Sequence, residues 1–265
     1  MTTGLVTEAQ VFLLIFARVF ALLQVAPLLS SSAVSQLVRV SLSLLAAFVV
    51  FPSVTAAGAY PIPDTLGAYV LLLVGEVLVG VVIGFFVSII FTAFQSAGQF
   101  FSLQVGFGAS QVFDPLSQVE IPLMGQFFNI VAMMLFVTTD GFQKLFYVGV
   151  YRSFQSLRAV DLATHRGDFL ELILSSLSRL FEQALILALP ILGTLVLVSI
   201  TMGLLGKAAP QMNLLLLGFP LSLGVAFLML VIALPFLVDA FDRLIGEAFD
   251  HIGMFISRIG EAGAQ

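Results

Sequence analysis

Apolar positions along this chain come in long blocks, not in the alternation of a strand with one wet face. A helix that crosses a bilayer needs about 20 mostly apolar residues. Stretches 9–30, 37–58, 66–95, 123–139, 169–205 and 214–245 approach that length, and the pattern predicts a helix over each. The stretch at 123–139 is short and is followed by an amphipathic segment over 142–157. The last two exceed one untilted span and hold Pro190, Pro220 and Pro235, so kinked or strongly tilted helices are expected there. Beyond 245 the apolar residues narrow to one face. Phe241, Leu244, Ile245, Phe249, Ile252, Phe255, Ile256 and Ile259 share it, whereas Asp242, Glu247, Asp250 and Arg258 lie away from it. That period predicts an amphipathic tail helix to about 259. Short alternating segments of the transmembrane-barrel kind are absent, which leaves an all-α architecture.

Composition sharpens this into a membrane protein. Apolar residues make up 60% of the 265 and charged residues only 9%, against about 25% in an ordinary soluble domain. Mean hydropathy is +1.15. With 10 Lys plus Arg against 15 Asp plus Glu, the net charge is −5, and no basic stripe exists to neutralise nucleic-acid phosphates. Cysteine is absent, which excludes disulfide scaffolds and thiolate metal sites, and two histidines leave little for an imidazole site. No metal or cofactor is expected. The motifs of zinc proteases, serine hydrolases and phosphate-binding loops are also missing, so no enzyme is expected. The first eight residues hold no basic residue, and the first apolar stretch is expected to stay in the mature protein.

Against this background the polar and flexible residues stand out. Glu76 lies inside the third apolar stretch, where an ionised group costs on the order of 3 kcal/mol. It reads as a proton or ion site, or as half of a structural pair with Arg18 or Arg39, and the pair is the favoured reading. Gly80 and Gly84 follow it at a spacing that lets helices approach closely. The connector 96–122 contains Gly106, Phe107, Gly108, Phe113, Asp114 and Pro115, a stretch too polar and irregular to face lipid. Such backbone is tolerated at membrane depth only when it is buried in protein or lines a cavity. It reads as a re-entrant plug or as a plain surface loop. Gly206 to Asn213 closes a helical hairpin with a polar tip, where Lys207, Pro210, Gln211 and Asn213 form a turn or a docking point. Arg152, Arg158, Arg166 and Arg179 crowd around the connector 157–168 and favour placing it in the cytoplasm, by a small margin.

In their order and spacing these residues resemble the FliR/SctT family of type III export-gate components over nearly the whole chain. The resemblance rests on Arg18 with Pro27, then Arg39, and on the Glu76, Gly80, Gly84 pattern. It continues through Ala97-Gly98, Gly106, Asp114-Pro115, Pro122 and Gly141, and ends on Gly203-Leu204-Leu205, Ala209-Pro210-Gln211-Met212-Asn213 and Gly218-Phe219-Pro220. Where the family usually has a histidine after the glycine of the fourth helix, this chain has Phe142. The resemblance implies a FliP-like part over 1–168 followed by a FliQ-like helical hairpin over 169–245 and a tail to 265. It also implies assembly with FliP and FliQ as the entrance of a channel for unfolded polypeptides. FlhB would lie near the hairpin tips and FlhA beneath, in the bacterial inner membrane within the flagellar basal body, with membrane lipid around and no nucleic acid. The loop at about 106–122 would help to close the pore. The rival class is a small secondary transporter with broken helices that uses Glu76 for coupling.

Overall fold

The computed structural model describes residues 2–31, 34–56, 62, 63, 65–105, 123–156, 166–209, 211 and 214–262. Among these no strand occurs. Helix α1 runs Thr2–Val25, the single turn α2 Pro27–Ser30, α3 Gln36–Ala56 and α4 Leu66–Val105. Helix α5 covers Leu123–Thr138. Then α6 Gly141–Lys144, a π-helical segment Leu145–Arg152 and α7 Ser153–Ser156 follow without a break. Long helices α8 Arg166–Ala208 and α9 Leu214–Ala262 complete the described chain.

One expected boundary is corrected. The connector expected to begin at 96 begins later, because α4 continues to Val105. The reason is periodic: Ile90, Phe94, Ala97, Phe101 and Val105 recur every three or four residues and are all buried, so polar neighbours such as Gln99 and Gln104 fall on the other faces. The tail helix expected to about 259 continues the sixth apolar stretch as one 49-residue α9, which carries Pro220 and Pro235 inside it. At 1.5 Å per residue, α4, α8 and α9 are about 60, 64 and 74 Å long, roughly twice the ~30 Å apolar core of a bilayer. Five described helices are long and apolar enough to cross a membrane, whereas α5, at 16 residues, falls short. Asp140 stops α5: its φ of 58° is left-handed, a conformation that ends a helix and that Asp tolerates better than most side chains.

The chain divides into two compact units, each discontinuous in sequence. The first contains Met1–Ile89, Val137–Ser176 and Ile245–Gln265. Within it, α3 presents Ser43, Ala47, Val50 and Val54 as a buried stripe, and Phe12 of α1 meets Phe51 edge-on at 5.9 Å. The second contains Ile90–Phe136 and Leu177–Leu244. Its centre is aromatic: Phe241 sits edge-on to Phe94 at 4.8 Å and to Phe91 at 6.1 Å, and Phe91 also meets Phe136. Gly98 lets α4 touch the backbone of Met124 and Gly125 in α5. Helix α8 contributes Ala184, Leu187, Ile191 and Leu195, and α9 contributes Ala226, Leu230, Ala233 and Leu237, both at helical period. Near the hairpin turn Met202 lies against Gly218.

Candidate functional site

The charged residues singled out in the first apolar stretches meet in the first unit. Arg18 stands on the buried stripe of α1 between Leu14 and Leu22, one turn from each. Glu76 stands on α4 one turn before Val79 and Gly80. Both are fully buried, and Arg18 Nε donates to Glu76 Oε2 at 2.6 Å. A second donor, Arg18 Nη1, reaches Ser153 Oγ at 3.2 Å, and that hydroxyl in turn donates to the Val150 carbonyl at 2.8 Å. The guanidinium carbon lies 3.9 Å from the centre of the Phe154 ring. A carboxylate, a hydroxyl and an aromatic face therefore compensate one buried cation; the carboxylate comes from α4, and the hydroxyl and the ring come from the neighbouring residues Ser153 and Phe154. Taking two charges out of water costs several kcal/mol per ion unless geometry and further hydrogen bonds offset it. This cluster supplies both.

Gly80 and Gly84 explain how α1 and α4 come close enough for the pair. A Cβ built on Gly80 would run into the carbonyl oxygen of Arg18 itself and lie 3.0 Å from the Ala21 Cβ. One at Gly84 would lie 2.8 Å from the Val25 Cβ and 2.9 Å from the Leu22 carbonyl oxygen. The helices thus touch backbone to backbone, which only a missing side chain permits. On the other flank Gly149 brings the π-helical segment against Ile83 and Leu22.

Arg39 takes no part in this cluster. It is 8% exposed near the start of α3, where Nη1 donates to Gln24 Oε1 at 2.9 Å and Nη2 to the Ser31 carbonyl at 2.6 Å. Gln24 passes the chain of bonds to Gln36. Arg39 Nε is buried without a hydrogen-bond partner, and no described carboxylate pairs with it. Of the two partners weighed for Glu76, the one in contact is Arg18.

The remaining candidates are placed less closely. Lys207 is exposed on the last turn of α8, and Gln211 is exposed in the turn that follows. Pro210 and Asn213 lie outside the described residues, as do Gly106, Phe107, Gly108, Phe113, Asp114 and Pro115 of the expected plug. Among the described residues, no group of His, Cys, Asp or Glu could hold a metal ion. Sequence reasoning gave Ser153, Phe154 and Gly149 no role and read Gly98 only as part of the family pattern, not as a helix contact. The first two sit 135 residues or more from Arg18 in the chain, and no spacing rule links them to it. Buried small residues inside apolar helices were a usable signal for Gly98 and Gly149, because α-helical membrane proteins place such residues where backbones meet.

Comparison with known proteins concerns the chain as a whole. Residues 9–248 match the model of a family described as "Bacterial export proteins, family 1". The flagellar biosynthetic protein FliR of Borreliella burgdorferi is 32% identical over 253 residues, covering 95% of this chain and 93% of that protein. FliR of Escherichia coli is 29% identical over 242 residues, covering 91% of each. FliR of Pectobacterium carotovorum is 30% identical over 250 residues, covering 93% of each.

Proposed function

This chain belongs to the bacterial export proteins, family 1, and is a membrane component of the flagellar export apparatus; on that premise we propose that it forms part of the gate itself. In this reading it assembles with FliP and FliQ into the channel entrance for unfolded flagellar proteins, in the bacterial inner membrane. FlhB packs near the hairpin tip at Lys207, Pro210, Gln211 and Asn213, and FlhA lies beneath. The chain is FliP-like up to about residue 168 and a FliQ-like hairpin with a tail from 169 to 265. It performs no catalysis; other components supply the energy.

The observation that carries this reading is the family match from residue 9 to residue 248, because it spans the N-terminal helices and the α8–α9 hairpin together. The long helices support it as well. At 40, 43 and 49 residues, α4, α8 and α9 each exceed the roughly 20 residues that one bilayer span needs.

The gating step follows from the apolar side chains of the central loop. An export pore must pass unfolded chains and still hold back ions at rest. Phe107 and Phe113 close a constriction by packing and dewetting, and the glycines at 106 and 108 let the loop swing aside. The buried Arg18–Glu76 pair with Gly80 and Gly84 keeps the surrounding helices in register while the loop moves.

Two measurements test this. Native mass spectrometry of the chain co-expressed with its neighbouring genes is expected to show one large complex with smaller hydrophobic subunits; a lone monomer or homodimer would favour the transporter reading instead. Deleting residues 106–122 from the assembled gate is expected to make cells leak small ions, and an unchanged conductance would remove the plug role.

A further inference from the structure

The π-helical segment Leu145–Arg152 does something to this surface that an α-helix of the same sequence cannot. Eight residues is long for a π-helix, which usually appears as a single-turn bulge and frequently at functional sites. In an α-helix, residues five apart point about 140° away from each other. In a π-helix the i→i+5 bond brings them to the same side. Here Arg152 accordingly comes back over Tyr147, its guanidinium carbon 5.6 Å from the ring centre. Tyr147 and Tyr151 stack on each other at 5.9 Å with an interplanar angle of 16°. The same register turns Leu145, Gly149, Val150, Ser153 and Phe154 inward, where Ser153 and Phe154 meet Arg18. One segment thus splits its residues into a buried face and an outer face on which Tyr147 and Arg152 are exposed and Tyr151 is half-buried.

We propose that this exposed face is a headgroup site for an anionic phospholipid, in which the Arg152 guanidinium, held on the tyrosine stack, meets the phosphate. Charge favours an anion: between Asp140 and Asp161 the chain carries Lys144, Arg152 and Arg158 and no Asp or Glu, in a protein whose net charge is −5. No described carboxylate pairs with Arg152. Depth favours a lipid source over a free ion. Tyrosine is enriched at the membrane–water interface, with its ring among the acyl chains and its hydroxyl among the headgroups. The segment also directly follows the apolar helix α5 and the Asp140 turn that ends it. Arginine suits the role better than lysine, because its planar fork binds phosphate oxygens in pairs and stacks on aromatic rings.

The test uses the full chain, purified in mild detergent with its co-expressed partners and titrated with phosphatidylglycerol or phosphatidylcholine of the same acyl chains. Bound lipid is counted by native mass spectrometry. The unaltered protein is expected to retain phosphatidylglycerol in preference. Arg152→Gln, a change at an exposed side chain, is expected to weaken that binding about fivefold, the usual worth of one basic residue at a membrane surface. A second variant keeps the arginine: Arg152 Nη1 lies 3.9 Å from where a Gly253 Cβ would stand, so Gly253→Glu sets a competing carboxylate beside it and is expected to weaken retention likewise. Equal retention of the two lipids by the unaltered protein, or full retention of phosphatidylglycerol by both variants, would overturn the proposal. Displacement of the lipid by millimolar inorganic phosphate would also overturn it, by making the site one for a free anion.

Discussion

Replacing Glu76 with alanine is expected to remove most of the assembled protein from the membrane fraction. The carboxylate is fully buried and its partner Arg18 is equally buried, so the substitution strands a buried cation without its counter-charge. Breaking a buried pair by deleting one side costs roughly 3–5 kcal/mol, because the partner charge stays behind. Ser153 and Phe154 soften that loss without cancelling it, since neither carries a charge. The double substitution Arg18→Met with Glu76→Leu removes both charges and is expected to recover much of the yield, as apolar replacements of whole buried pairs do. Ser153 is not left wanting in that variant, because its hydroxyl keeps the Val150 carbonyl. Complex yield read by native electrophoresis decides the matter. Normal yield of Glu76→Ala with lost export would instead assign Glu76 to a proton-coupled step.

Gly80→Ala is expected to be nearly as damaging, although it adds one carbon. That carbon would run into the Arg18 carbonyl oxygen and crowd the Ala21 Cβ, and neither can rotate away as the end of a long side chain can. Overpacking of this kind typically costs about 1–3 kcal/mol. The cost here extends further, because pushing α1 off α4 also stretches the Arg18–Glu76 bond one turn away. The two predictions are therefore coupled, and the effects of Gly80→Ala and Glu76→Ala are expected to sum to more than the double variant shows. The same substitution at Gly193 or Gly224 meets nothing within 4 Å and removes a flexible residue from a helix. Each is expected to be neutral or to stabilise by roughly 0.5–1 kcal/mol. Thermal melting of the purified chain separates the cases: a Gly80→Ala variant as stable as Gly193→Ala would show that α1 and α4 do not meet backbone to backbone.

Much of this was legible along the chain. The long apolar blocks announced α1, α3, α4, α8 and α9, since a run of that length with so few charges has few other uses. The cost of a charge in such a run announced that Glu76 needed a partner, and the paired glycines announced a close helix approach. Composition excluded a soluble domain and thiolate metal sites, and the order of weak motifs pointed to the export family that the relatives support.

Other features needed the fold. That α4 runs on to Val105 depends on Ala97, Phe101 and Val105 finding a surface to bury against, and local polarity argued the other way. The choice between Arg18 and Arg39 turned on which helix face meets α4. Arg18 lies on it, whereas Arg39 reaches Gln24 and Ser31. The π-helical register of Leu145–Arg152 is the clearest case. Nothing in the order Leu-Phe-Tyr-Val-Gly-Val-Tyr-Arg calls for an i→i+5 bond in place of i→i+4, and the π-helix is the rare choice. In the observed register Ser153 and Phe154 meet the buried Arg18, a contact with a residue 135 positions away that no local pattern encodes. Hydrophobicity and charge cost act residue by residue and so can be read in order along a chain. Register and pairing depend on which distant surfaces meet, and those surfaces exist only once the helices have packed.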